Sequence, residues 1–156
     1  MKTSDIKALK DKQRGSFVLE ALIAILLFAI GILAIVGLQA ASIRNAAGAK
    51  YRTDASLLAN QIIGQMWVAD KTNATLAACF VGPAVSGVCP PAGTAGANYL
   101  AWAGSVAQVL PGVSGVAANA PTITIDANNQ ATVTVFWKAP RDNAPHNYST
   151  VANITD

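Results

Sequence analysis

Arg14-Gly15-Ser16-Phe17-Val18-Leu19-Glu20 runs directly into an uncharged stretch, residues 21–38, and this junction decides the fold. The stretch holds 18 residues without a charge. At ~1.5 Å per residue the wider apolar block, 17–38, extends roughly 33 Å as a helix, enough to cross the hydrocarbon core of a bilayer. Glu20 stands alone at its start. An isolated carboxylate costs ~2.5–3.5 kcal/mol or more at mid-membrane, so a partner is expected for it. The plainer account is a helix N-terminus, where the macrodipole favours an acid close to the headgroups.

On the N-terminal side of this junction the chain is short, polar and basic. Lys2, Lys7, Lys10, Lys12 and Arg14 outnumber Asp5 and Asp11, so residues 1–15 carry the whole formal charge of +3. Beyond Gly15 the basic and acidic side chains balance, which removes the basis for a general attraction to nucleic acid. A cationic segment followed by an apolar run is an export signal: the charged end stays cytoplasmic while the run partitions into lipid. Residues 1–15 read as a cleaved leader, and the flexible Gly15 marks a place to cut.

On the C-terminal side the helical pattern continues. Ile43, Ala47, Tyr51, Ala55, Leu58, Ile62 and Met66 recur every three or four residues, which predicts one unbroken helix over 16–67, amphipathic across 39–70. Its first part, 16–38, suits lipid or a filament core, and its second suits a small domain formed by residues 71–156. There, 81–98 is rich in Gly, Ala and Pro and reads as loop. A short helix is expected over 99–110, with Leu100, Ala103, Val106 and Leu110 on its packed side and Pro111-Gly112 stopping it. Thr122-Ile123-Thr124-Ile125 and Thr132-Val133-Thr134-Val135 alternate polar and apolar around Asn128-Asn129, predicting an antiparallel hairpin. Residues 148–154 are expected to return as a short edge strand. The fold class is therefore α+β, a long N-terminal helix packed on a small antiparallel sheet.

Cys79 and Cys89 are the two cysteines. An exported chain places them in an oxidising compartment, and Pro83 with the intervening glycines lets the chain turn back, so a structural disulfide is expected. No Cys-x-x-Cys is present to suggest redox chemistry. His146 is the sole histidine and lies in a Pro- and Asn-rich segment read as an exposed loop. Neither a metal site nor a Ser-His-Asp arrangement can be assembled from the sequence, and no phosphate-binding Gly-rich loop appears. The expectation is a non-enzymatic protein without cofactor or metal. Trp102 and Trp137 read as core residues.

With these residues in place, the chain resembles the type IV prepilin family. The family signature is a short basic leader ending in Gly, a cut after it, Glu as the fifth mature residue and a long apolar helix. Gly15, Ser16 and Glu20 match those three positions. The first mature residue is usually Phe, whereas here Ser16 precedes Phe17. The resemblance implies cleavage between Gly15 and Ser16 by prepilin peptidase, N-methylation of Ser16 by the same enzyme, and a role for Glu20 in setting axial register by meeting the α-amino group of a neighbour's Ser16. It implies a single-pass inner-membrane protein, N-terminus cytoplasmic and head periplasmic, surrounded by membrane lipid before assembly and then carried on the pilus at the cell surface. The implied partners are other minor and major pilins and the inner-membrane assembly platform. The 102–111 stretch, followed by a hairpin ending in Val135-Phe136-Trp137, is similar to minor pilins of the PilV type, which initiate or modify pilus assembly. In major pilins a helix-breaking Pro stands near the position of Gly37.

A pseudopilin of a type II secretion system shares leader, Glu and helix, and neighbouring genes would separate the two. A secreted protein cut near Leu38-Gln39-Ala40 is the third reading. It conflicts with an apolar run longer than the ~7–15 residues of ordinary signal cores, and with an acid near its start.

Overall fold

The computed structural model describes residues 4–91 and 93–155, with side chains from Ser16 onward. The chain divides into two compact units, Met1–Ala46 and Ala47–Asp156. Helix α1, Ser4–Val68, begins in the first and ends in the second. It starts earlier than the sequence pattern suggests, taking in residues 4–15 as well. Those residues include Ala8, Leu9 and several lysines, all good helix formers, and Gly15 is their first glycine.

In the second unit α1 presents a stripe rather than a uniform surface. Ala55, Leu58, Ala59, Ile62, Ile63 and Met66 are buried, while Leu57 and Asn60 between them are exposed. The stripe continues the period read from the sequence, except that burial becomes complete only at Ala55. The helix ends at Val68, where the Ala69 N–H closes on the carbonyls of Gln65 and Met66 at 3.1 and 3.3 Å. Asp70 then accepts the Thr72 N–H at 2.9 Å, turning the chain into a second helix.

That helix, α2 (Asn73–Phe80), is N-capped by Thr72, whose hydroxyl accepts from the Thr75 N–H at 3.4 Å. It buries Leu76, Cys79 and Phe80, a spacing of three and four residues. Cys79 is joined to Cys89 in a disulfide with Cα atoms 4.8 Å apart, as expected from the sequence. Between them, Gly82 exchanges backbone hydrogen bonds with Ile123 at 3.0 and 3.2 Å. Any Cβ at Gly82 would collide with the buried ring of Tyr99, so glycine is required there.

Helix α3, Ala97–Val109, is close to the expected span, and Val106, Leu110 and the partly buried Ala103 pack as expected. Tyr99, Trp102 and Val106 are buried, whereas Leu100, expected on the packed side, is 49% exposed. The polar tips of the two aromatics explain why Leu100 is left outside. The Tyr99 hydroxyl donates to the Pro121 carbonyl and the Trp102 indole N–H to the Leu58 carbonyl, both at 2.8 Å. Large rings that bury well and also satisfy their polar atoms displace a leucine from the core.

A 3-10 turn, Ala117–Asn119, leads into three antiparallel strands: β1 (Thr122–Ile125), β2 (Gln130–Trp137) and β3 (His146–Asn153), in that order across the sheet. Thr122 pairs with Thr134 and Ile125 with Ala131, the predicted hairpin. Ala131, Val133, Val135 and Trp137 face the core, the alternate positions facing outward. The turn uses Asp126, whose carboxylate accepts the N–H groups of Asn128 and Gln130, both at 2.8 Å. Asn129 closes it at φ 58°, a left-handed conformation that asparagine tolerates. β3 is an edge strand as expected, though it begins at His146 and not at 148. The α+β architecture read from the sequence is the one observed.

Candidate membrane anchor and assembly helix

Ser16 and Glu20 stand one helical turn apart on one face of α1, the i, i+4 relation that lets two side chains meet. Both are exposed. Among the described residues the Glu20 carboxylate has no hydrogen-bond or ion-pair partner. Gly15 and the basic residues Lys2, Lys7, Lys10, Lys12 and Arg14 lie outside the residues whose side chains are described.

From Phe17 onward the apolar side chains point outward all round the helix. Phe17 and Leu38 are each 72% exposed, and Leu22, Leu27, Ile30 and Leu33 between them are also open. The segment from Ser16 onward is long and apolar enough to cross a membrane, and none of its most apolar window is covered by the rest of the chain. A core helix of a soluble domain of comparable composition is mostly covered by its own chain. Water is a poor solvent for such a surface, at ~25 cal/mol per Å² exposed, which makes this helix a candidate membrane anchor. Gly31 and Gly37 face open space, with nothing within 4 Å of an added Cβ. Among the described residues no close contact requires them to be small.

The sites predicted further along the chain separate into two groups. Cys79 and Cys89 are bonded, and Trp102 and Trp137 are buried in the core, 2% and 5% exposed. His146 is not in a loop: it opens β3, exposed as expected, with its Nε2 3.2 Å from Asp142 Oδ2 and its ring stacked on Trp137 at 5.8 Å. This contact fixes the loop between β2 and β3, and the Ala139 N–H also donates to Asp142 Oδ2 at 3.0 Å. Burial raises the Tyr99 pKa above its ordinary value of 10.0.

A polar junction that the sequence reading missed ties α2 to the hairpin. Asn73 Nδ2 donates to the Asp126 carbonyl at 2.7 Å and to Asn129 Oδ1 at 2.9 Å. Asn129 Nδ2 in turn donates to the Lys71 carbonyl at 2.8 Å, and its own carbonyl accepts the Ile154 N–H at 2.9 Å. Thr72 as an N-cap and Asp126-Ala127-Asn128-Asn129 as an Asx turn were the available signals.

No protein-family profile, curated protein or solved structure matches this chain. Its function must be argued from α1 and the head domain themselves.

Proposed function

We propose that this chain is the precursor of a type IV pilin-like subunit, a minor pilin that enters a filament through its apolar helix and helps initiate or modify assembly. Glu20 carries the reading: one carboxylate, without a partner among the described residues, on the same face as Ser16 and followed by an exposed run without charge. Cleavage after Gly15 converts Ser16 into a free amine. When such helices pack side by side, the amine of one subunit meets Glu20 of the next, and pairing relieves two charges held in a low-dielectric bundle. The remaining helix contacts are apolar and insensitive to register, so this pair sets the axial step.

Before assembly the helix resides in the inner membrane, with the leader cytoplasmic and the head across the bilayer. The Cys79–Cys89 disulfide supports placing the head in an oxidising compartment. The partners on this reading are prepilin peptidase, the assembly platform and the other pilins.

Intact-mass measurement of membrane-extracted protein tests the proposal. The expected product begins at Ser16 and carries one methyl group on its amine. A product beginning near Ala41, or one retaining Met1, overturns it.

A further inference from the structure

Lys50 and Tyr51 of α1, Gln108 near the end of α3 and Ser114 of the turn after it line one open groove of about 420 Å³. This volume falls within the ~300–1,000 Å³ of small-molecule sites. Leu110 and Pro111 add apolar surface. Among the described residues none of the four polar side chains has a hydrogen-bond or ion-pair partner. All belong to the second unit.

Two electrostatic facts restrict what fits. The groove contains one cation, the Lys50 ammonium, and no acid. It also lies at the C-terminal end of α3, the negative end of that helix dipole, where the Leu110 N–H closes on the Val106 carbonyl but, among the described residues, the carbonyls of 107–109 have no backbone donor. A dianion such as phosphate would match Lys50 but face the carbonyl end with surplus charge. A neutral sugar would satisfy the carbonyls but leave Lys50 unmatched. A ligand with one carboxylate and several hydroxyls meets both conditions.

We propose that this groove binds a sugar acid of the uronate class, independently of the filament reading. The carboxylate accepts from the Lys50 ammonium and the Tyr51 hydroxyl. The hydroxyls donate to the closing carbonyls of α3 and exchange hydrogen bonds with Gln108 and Ser114. The site is open to solvent, so binding is weak.

The test uses the full chain in detergent micelles, titrated by amide NMR with glucuronate, glucose, inorganic phosphate and a short acidic peptide. Glucuronate is expected to shift the amides of Tyr51, Gln108 and Ser114, with glucose roughly tenfold weaker. Lys50→Gln, an exposed helical position, should weaken glucuronate roughly tenfold and leave glucose unchanged, while Arg141→Gln should change neither. Absence of shifts at those amides overturns the proposal. So does glucuronate binding that survives Lys50→Gln, or phosphate or peptide binding as tight as glucuronate.

Discussion

Two stretches of one helix, α1, face opposite fates. Around Ile30 every side of the helix is apolar and every side is exposed; around Ile62 one apolar stripe is buried, and the other sides are mostly polar. The difference lies in where the polar residues fall. Asn60, Gln61 and Gln65 leave room for a single packed face, which the chain's own sheet and helices cover. Residues 21–38 offer no polar side, so nothing inside the chain can satisfy them. A helix of the second kind is stabilised by its own fold, and one of the first kind by whatever surrounds it.

The contrast is broken most sharply at Glu20, the one acid in the exposed stretch. If that stretch only dissolves in lipid, Glu20→Ala should be neutral or should ease partitioning. If it also assembles, a neighbouring amine loses its counter-charge at ~3–5 kcal/mol. The expected outcome is mature protein accumulating in membranes and absent from sheared filaments, read by quantitative immunoblot of both fractions. Equal recovery of mutant and wild type from filaments would reduce Glu20 to a helix-end charge.

Matched truncations sharpen the contrast next. Ile62→Ala should destabilise the head by ~2–5 kcal/mol, lowering its melting temperature in near-ultraviolet circular dichroism. Ile30→Ala should leave that transition unchanged within ~0.5 kcal/mol. The paired Cys79→Ser/Cys89→Ser variant comes third, because it opens a loop of sequence separation 10 and should cost ~2–3 kcal/mol on a chain-entropy account. Its effect too should fall on the head alone, visible as a lower urea midpoint with membrane extraction unaltered.

The smallest effect is a pH dependence. Tyr99 is held neutral by burial, so its folded-state pKa lies above the unfolded value of 10.0. Its contribution is complete below that value and is lost as pH rises through the raised folded-state range, because the unfolded chain releases the proton first. Urea midpoints should fall across this alkaline window, and Tyr99→Phe should flatten the decline.

The long helix and the hairpin were legible because each repeats one simple period over many residues. α2 was not. Its eight residues, Asn73–Phe80, hold too few turns to establish a period, and alanines blur the contrast between Leu76, Cys79 and Phe80 and their neighbours. α3 was placed correctly and Val106 and Leu110 pack as read, but Leu100 was assigned to the packed side, since periodicity alone cannot tell that Tyr99 and Trp102 find acceptors at Pro121 and Leu58. His146 was read as loop from its proline-rich approach, whereas pairing with β2 extends the strand back to it. For the candidate site, the motif around Gly15, Ser16 and Glu20 was visible as residue types at fixed spacing. The groove beside Lys50 was not, because residues 50–51 and 107–114 meet only after folding.

The hydrogen bond from Trp102 to Leu58 makes the head its own optical reporter. Trp102 is shielded and pinned to a helix carbonyl, Trp137 is shielded beneath an imidazole, and Trp67 is 45% exposed with the Lys71 ammonium 5.4 Å from its ring centre. Three indoles in three surroundings differ in emission colour and in access to collisional quenchers. Loosening of α3 from α1 therefore has a spectral signature distinct from unravelling at the end of α1, and the two events can be followed in the purified protein without attaching a dye.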